Sequence, residues 1–142
     1  MAKEGKITAA KYIDKSEGQP ELLPIFDIVK KLVSGYVKGN FKVIADKPGQ
    51  YEVYYVKEVE MFGRTYPGLF FAGVLIQKGY VGFYFFPIYA NPGLKDKLQP
   101  ELLKILQGKT CFHIKKDDPV LFKQVEVALQ IGYEFYQSKG WV

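Results

Sequence analysis

Two residues that could carry out chemistry, Cys111 and His113, lie close together in the chain. They are two positions apart in the run 110–115, which is typical of a β-strand, and alternate residues of a strand project from one face. A thiol and an imidazole on one face could ligate a soft metal or form a thiolate-imidazole pair, as in a metal carrier or a small enzyme. Alternatively, Cys111 is a small buried hydrophobe and His113 a hydrogen-bonded sheet residue. The sequence favours this alternative, because two ligands do not complete a zinc site.

Acidic residues form two further groups. Asp117 and Asp118 precede Pro119, a pattern typical of a helix N-cap, with a metal clamp as the second interpretation. Three glutamates alternate along one extended segment: Glu52, Glu58 and Glu60. That alternation is more typical of a solvated sheet edge than of an active site.

Common enzyme motifs are missing from the sequence. It contains no GxSxG, no Walker loop and no GxGxxG, and Gly73, Gly79 and Gly82 fall within a hairpin pattern that does not suit phosphate binding. A single histidine also limits metal and triad chemistry. We therefore predict no catalytic residue set, no metal site and no cofactor.

The apolar stretch 69–89 is the element around which the rest of the chain is predicted to fold. It is interrupted by Lys78-Gly79, and a two-residue turn with glycine second indicates a β-hairpin. Pairing Gln77 with Tyr80 across the turn fixes which side chains share a face. One face is predicted to be the floor beneath the helices, with Ala72, Val74, Ile76, Val81, Phe83 and Phe85.

The other face of this hairpin mixes rings, glycines and hydroxyl groups. The same register assigns to it Phe71, Gly73, Leu75, Gln77, Tyr80, Gly82, Tyr84 and Phe86. Rings beside glycines give area and concavity, which suit a small aromatic or anionic ligand or a second copy of the chain in a homodimer. We predict that ligand-binding or interface residues include Tyr54, Phe71, Tyr80, Tyr84, Phe86, Cys111, His113 and Lys115.

The remaining segments are predicted to add helices and strands. Helical spacing of apolar residues predicts a first helix from near Leu23, with Pro24 in its first turn and Gly35 near its end. A closing helix begins after an aspartate cap and buries Phe122, Val125, Leu129, Gly132 or Tyr133, and Tyr136. Strands are predicted at 41–45, 51–56, 58–62 and 110–115, and short helices at 94–98 and 100–106.

These elements predict an α+β fold, a single antiparallel sheet with helices packed on one face. At 142 residues the chain suits one domain, spanning 8–142, after a mobile N-terminal tail at 1–7. Thr8 is predicted to cap one short helical turn that carries Tyr12 and Ile13.

The composition of the chain indicates in which cell compartment it works and which partners are disfavoured. One cysteine excludes an intrachain disulfide, and residues 1–18 lack an apolar signal core, which together predict a cytoplasmic protein. No apolar run reaches the roughly 18 residues that suggest a membrane span. The net charge of +5 invites a nucleic-acid interpretation, but the cations are scattered and Arg64 is the only arginine, so the sequence does not favour it.

Several longer runs resemble the uncharacterised bacterial YdhG-like family. They are KPGQYEVYY, YPGLFFAGVLIQKGYVGFYFFPIY, PELLKILQGKTCFHIKKDDPVLFKQVEVALQIGYEFY and the closing Gly140-Trp141. The resemblance covers most of the chain from about Thr8, and GKTCF is its most distinctive piece. It implies a small cytoplasmic α+β domain and no established catalytic residues. One group of the family is described as a frataxin-like iron chaperone with an acidic ridge on its first helix. The first helix here carries only Asp27 beside Lys30 and Lys31.

We expect this protein to bind neither iron nor zinc tightly, because hard iron needs clustered carboxylates and the chain has one histidine. Isothermal titration calorimetry should show no stoichiometric, micromolar uptake of either ion. Such uptake, if lost in His113→Ala, would contradict the expectation and support a metal carrier.

Overall fold

The computed structural model describes residues 7–141. Its strands are β1 (Phe41–Lys47), β2 (Gln50–Tyr55), β3 (Val59–Met61), β4 (Arg64–Tyr66), β5 (Leu69–Gln77), β6 (Tyr80–Phe85), β7 (Leu106–Gln107) and β8 (Cys111–Ile114). Its α-helices are α1 (Leu23–Ser34), α2 (Pro87–Ala90), α3 (Pro100–Lys104) and α4 (Pro119–Ser138), with 3-10 helices at Pro20–Leu22 and Pro92–Lys97. Six strands form one antiparallel sheet in the order β1-β2-β5-β6-β8-β7, and β3 and β4 form a separate hairpin. The predicted α+β class is confirmed.

The β5-β6 hairpin has the predicted register. Gln77 pairs with Tyr80, and Gly79 adopts a φ of +90°, which explains why glycine stands second in the turn. Phe83 and Phe85 are fully buried on the face that the helices cover. The strands joined by short turns, β1 with β2 and β5 with β6, therefore pair antiparallel as the sequence predicted.

Helices α1 and α4 lie over this face and begin where local signals predict. Pro24 stands in the first turn of α1, and the side chain of Asp118 accepts a hydrogen bond from the Val120 amide at 3.0 Å, which caps α4. Gly132 lets α4 approach the sheet, because a Cβ there would overlap the ring of Phe85. Between residues 7 and 141, no helix is long and apolar enough to cross a membrane.

Strand β5 contains a β-bulge that the alternation pattern did not predict. Across the pairing with β2, Val53 lies opposite Ala72 and Tyr54 lies opposite Phe70, so Phe71 has no partner of its own. An extra residue on one strand reverses the alternation beyond it. Phe70 and Ala72 therefore face opposite sides of the sheet, and Phe71 points to the helices together with Ala72.

The prediction that Phe71 belongs to the aromatic face is wrong for this reason. Its side chain is fully buried, and its ring centroid lies 4.9 Å from that of Phe41 and 5.5 Å from that of Tyr136. Phe70 takes its place on the other side, with its ring centroid 5.0 Å from that of Tyr54. The register of the β5-β6 hairpin alone could not predict the bulge, because the bulge lies in the pairing of β5 with β2.

Residues 7–19, which we call the strap, cross the sheet face that α1 and α4 leave uncovered, which we call the open face. The predicted helical turn with Tyr12 and Ile13 is wrong, because residues 7–16 form neither helix nor strand. The Tyr12 hydroxyl donates to the Ile76 carbonyl oxygen at 2.6 Å, and the Gly79 amide donates to Gln19 Oε1 at 2.7 Å. Residues 1–6 of the predicted tail lie outside the described part.

Two smaller differences concern the ends of elements. Leu106, predicted as the last residue of a short helix, forms strand β7 together with Gln107, because both pair with β8. Strand β4 and helix α2 were not predicted; β4 pairs with β3 across a turn in which Phe62 and Gly63 both have positive φ. Neither difference alters the sheet that carries the open face.

The bulge predicts a sharp contrast between neighbouring substitutions. Phe71→Ala should lower the free energy of unfolding by about 3–5 kcal/mol, as should Phe83→Ala, because each removes a fully buried ring. Phe70→Ala should cost only about 1 kcal/mol, and Val120→Ala on exposed α4 surface about 0.5 kcal/mol or less. Urea denaturation measures all four. Equal losses of unfolding free energy in Phe70→Ala and Phe71→Ala would contradict the bulge.

Candidate ligand-binding site

The open face and the strap border a cavity of about 410 Å³ that is partly open to solvent, which we call the strap cavity. It is lined by Ala10, Glu52, Tyr54, Phe70, Gly73, Leu75, Tyr84 and Phe86. Ala10 belongs to the strap, and the other residues belong to β2, β5, β6 and the residue after β6. The cavity therefore lies between two layers that are distant in sequence.

Strand register brings the cavity side chains together. Gly73 lies opposite Glu52 in β2 and opposite Tyr84 in β6, so one glycine separates two large side chains across three strands. The Phe70 ring extends over Gly73, where a Cβ would lie only 3.0 Å from it. The missing side chain at Gly73 thus makes room for a ring to lie along the sheet.

Glu52 is a buried carboxylate in the wall of the strap cavity. Glu52 is 3% exposed, so the prediction of a solvated edge is wrong for this residue. Glu58 and Glu60 are exposed, as that prediction expects. Oε1 accepts a hydrogen bond from the Ala10 amide at 3.2 Å, and Oε2 accepts one from Gln50 Nε2 at 3.0 Å. The strap itself therefore buries and binds this carboxylate.

Two tyrosine hydroxyls border the same cavity. The Tyr54 hydroxyl lies 3.1 Å from Glu52 Oε1, and burial followed by the nearby Glu52 charge raises the pKa of Tyr54 well above its usual range. Burial likewise raises the pKa of Tyr84, whose hydroxyl accepts a hydrogen bond from Gln77 Nε2 at 3.3 Å. Both hydroxyls stay protonated at neutral pH; that of Tyr54 donates to Glu52, and that of Tyr84 accepts from Gln77.

Strand β8 lies beside β6 and adds polar residues to the open face. Its register places His113 opposite Gly82 and Cys111 opposite Tyr84. Phe112 and Ile114 are fully buried, as the alternation predicted. The sequence therefore predicted this corner of the open face correctly.

The imidazole of His113 stacks on the ring of Tyr80. Their centroids are 3.6 Å apart and their planes differ by 12°. Partial burial, reinforced by the positive charge of Lys115, lowers the pKa of His113, and burial raises the pKa of the Cys111 thiol. At neutral pH the imidazole is thus uncharged and the thiol is protonated, which does not favour a thiolate-imidazolium pair.

Metal-ligand geometry gives no further support to these two residues. Across residues 7–141, no group of three or more histidine, cysteine, aspartate or glutamate side chains stands where it could hold a metal ion. Asp118, the candidate for a clamp, is engaged in capping α4.

A second cavity, of about 360 Å³, opens at the β7-β8 end of the sheet. We call it the basic cavity; it is lined by Lys104, Ile105, Gln107, His113, Lys115, Lys116, Asp118 and Leu121. Three lysines against one aspartate give it positive charge. His113 and Lys115 border this cavity and not the strap cavity.

The predicted site residues thus fall into three groups. Tyr54, Tyr84 and Phe86 line the strap cavity, and Phe71 is in the core. Tyr80, Cys111 and His113 lie on β6 and β8, and Lys115, which follows β8, borders the basic cavity with His113. Sequence reasoning missed Glu52, Phe70 and Ala10 as site residues. The alternation of Gln50, Glu52 and Tyr54 in β2 was the signal that could have placed Glu52 beside Tyr54.

Comparison of this chain with protein-family models, with curated proteins and with solved structures finds no match. The resemblance to the YdhG-like family stays a prediction.

The lowered pKa of His113 can be measured directly, because the chain has one histidine. We expect NMR titration to give a midpoint below the ordinary value of about 6.5, and Lys115→Gln to raise it. The unfolded chain takes up this proton first, so the free energy of unfolding should fall as pH drops from about 6.5 towards the folded pKa. Lys95→Gln, at an exposed site on another segment, should leave the midpoint unchanged. A midpoint above 6.5 would contradict the assigned environment.

Proposed function

We propose that this protein is a small non-enzymatic binding domain that holds a small aromatic or apolar ligand in the strap cavity. The observation that carries the proposal is the cavity itself, about 410 Å³ of space between the strap and the rings of the open face.

The strap is held by hydrogen bonds from Tyr12 to Ile76 and from Ala10 to Glu52, yet the space between these contacts stays open. Ligand sites usually measure about 300–1,000 Å³ and combine an apolar lining with a few fixed polar groups. Tyr54, Phe70 and Phe86 supply the rings here, and Glu52 supplies the polar group.

A second copy of the chain is the alternative occupant of the open face. Two sheets that pack face to face lie about 10 Å apart with interdigitating side chains. The strap already occupies this layer over β2 and β5, where Gln50 Nε2 donates to the Ala10 carbonyl oxygen at 2.8 Å. A homodimer through this surface would require the strap to leave, so the arrangement favours a small ligand.

The metal (iron) carrier or small enzyme centred on Cys111 and His113 has less support. Burial raises the pKa of the Cys111 thiol, and the imidazole of His113 is stacked on Tyr80. Neither group is poised as a nucleophile or completes a ligand set. The basic cavity beside His113 instead suits an anion as a second ligand class.

We further propose that the protein works in the cytoplasm. It has a single cysteine, Cys111, which is half-buried and free, and a reducing compartment would keep this thiol unmodified. Scattered lysines with Arg64 as the only arginine do not favour nucleic acid as its partner.

Blocking the strap cavity from the strap side tests the proposal without altering the sheet. Ala10→Trp should fill the cavity and weaken binding of the neutral probe 2-phenylethanol about tenfold or more, as followed by NMR at the Gly73 amide. The matched control is Ile13→Trp, also on the strap, where the side chain is 82% exposed and binding should not change.

Native mass spectrometry of both variants and the wild type gives the subunit count together with any retained ligand. We expect a monomer that carries a small molecule in the wild type and in Ile13→Trp, and an empty monomer in Ala10→Trp. Equal probe binding by the two variants would contradict the proposal, and a dimer lost in Tyr84→Ala would support the second-copy alternative.

A further inference from the structure

Among the described residues that line the strap cavity, Glu52 is the charged one, and it is 3% exposed. Burial of a carboxylate costs free energy unless the charge is paired and hydrogen-bonded. Within residues 7–141 the ion pairs formed are Lys30 with Asp46 and Lys123 with Glu126, so no lysine or arginine of this part lies within 4.0 Å of Glu52. Within this part of the chain, its charge is therefore met by neutral donors alone.

The hydrogen bonds of Glu52 leave acceptor capacity on one oxygen. Among the donors of residues 7–141, Oε1 receives the Ala10 amide and the Tyr54 hydroxyl, and Oε2 receives Gln50 Nε2 alone. An ionised carboxylate accepts about four hydrogen bonds, two at each oxygen. Oε2 can therefore accept one more donor, and the strap cavity is the space beside this side chain in which a ligand could supply it.

The rings around this carboxylate complete a recognisable chemistry. Tyr54, Phe70 and Phe86 line the same cavity, with the Phe70 centroid 5.0 Å from that of Tyr54 and 6.5 Å from that of Phe86. Aromatic faces attract cations through their quadrupole, most strongly where water is excluded. An anion would meet these faces and the Glu52 carboxylate, both of which repel it.

We propose that the strap cavity selects an organic cation, an amine with an aromatic or aliphatic body. Its ammonium group donates a hydrogen bond to Glu52 Oε2, and its apolar body lies against the rings of Tyr54, Phe70 and Phe86. This inference rests on the proposed ligand-binding function and adds the charge and the donor group of the ligand.

The net charge of the chain makes this selectivity testable. With a net charge of +5, the whole protein repels cations at long range. Salt screens that repulsion beyond a distance of about 8–10 Å. A preference for cations over neutral molecules of equal shape must therefore arise from local contacts. Glu52 is the contact that supplies it.

Three probes that share a 2-phenylethyl body and differ in their end group separate charge from shape at pH 7: 2-phenylethylammonium, 2-phenylethanol and 3-phenylpropionate. NMR titration of the wild-type chain should show the ammonium probe binding about tenfold or more tighter than the alcohol, as expected for a hydrogen bond to a charged acceptor. The carboxylate probe should bind most weakly. Glu52→Gln should abolish the difference between ammonium and alcohol, while Glu60→Gln, at an exposed acid of β3, should keep it.

The outcomes separate this inference from the function on which it rests. If the alcohol binds as tightly as the ammonium in the wild type, or if Glu52→Gln keeps the preference, the cation proposal is overturned and the ligand site stands. If no probe binds, the ligand site itself fails. Should Glu52→Gln not fold, as judged by thermal unfolding, the wild type decides the matter: tighter binding of the ammonium than of the alcohol supports the cation proposal, and equal binding overturns it.

Discussion

The hydrogen bond from the Tyr136 hydroxyl to the carbonyl oxygen of Phe70, at 2.6 Å, links the helices to the bulge of β5. Tyr136 is fully buried, and burial raises its pKa, so the hydroxyl is a permanent donor that requires an acceptor inside the core. A bulge disrupts the regular ladder of a strand locally and gives a side chain access to its backbone. Helix α4 uses this acceptor, and the same bulge turns the Phe70 ring to the open face.

This constraint joins the core and the site. The extra residue in β5 places Phe71 among the core rings, and Phe70 moves to the strap cavity beside Glu52. Without the bulge, alternation would direct Phe70 into the core and Phe71 to the open face. The aromatic wall of the cavity therefore depends on a backbone irregularity that α4 stabilises from the opposite side of the sheet.

The sequence predicted the elements that local signals specify. Lys78-Gly79 marks the central hairpin, Pro24 marks the start of α1 and Asp118 with Pro119 marks the start of α4, and all three are confirmed. Local signals suffice here because a turn or a cap acts on residues only a few positions away. The alternation pattern likewise predicted that Phe112 and Ile114 of β8 are buried, and this is confirmed.

The rest depends on contacts that local patterns do not encode. The bulge at Phe71 is defined by pairing with β2, about twenty residues earlier in the chain, and no periodicity within β5 reveals it. The strap has no helical or strand period, and its partners are remote: 42 positions separate Ala10 from Glu52, and 64 separate Tyr12 from Ile76. Glu52 is buried because the strap covers it. The alternation of Glu52, Glu58 and Glu60 in the sequence carries no sign of the strap, so it predicted a solvated edge.

The remoteness of those partners gives the strap a particular place in the order of folding. Residues 7–19 leave the ribosome before β2 and β5, so they cannot dock until the sheet that they cross has been synthesised. Closing such long loops is entropically costly, and it follows the formation of the local hairpins. The strap cavity is therefore among the last parts of the molecule to form, because the strap that borders it docks after the sheet.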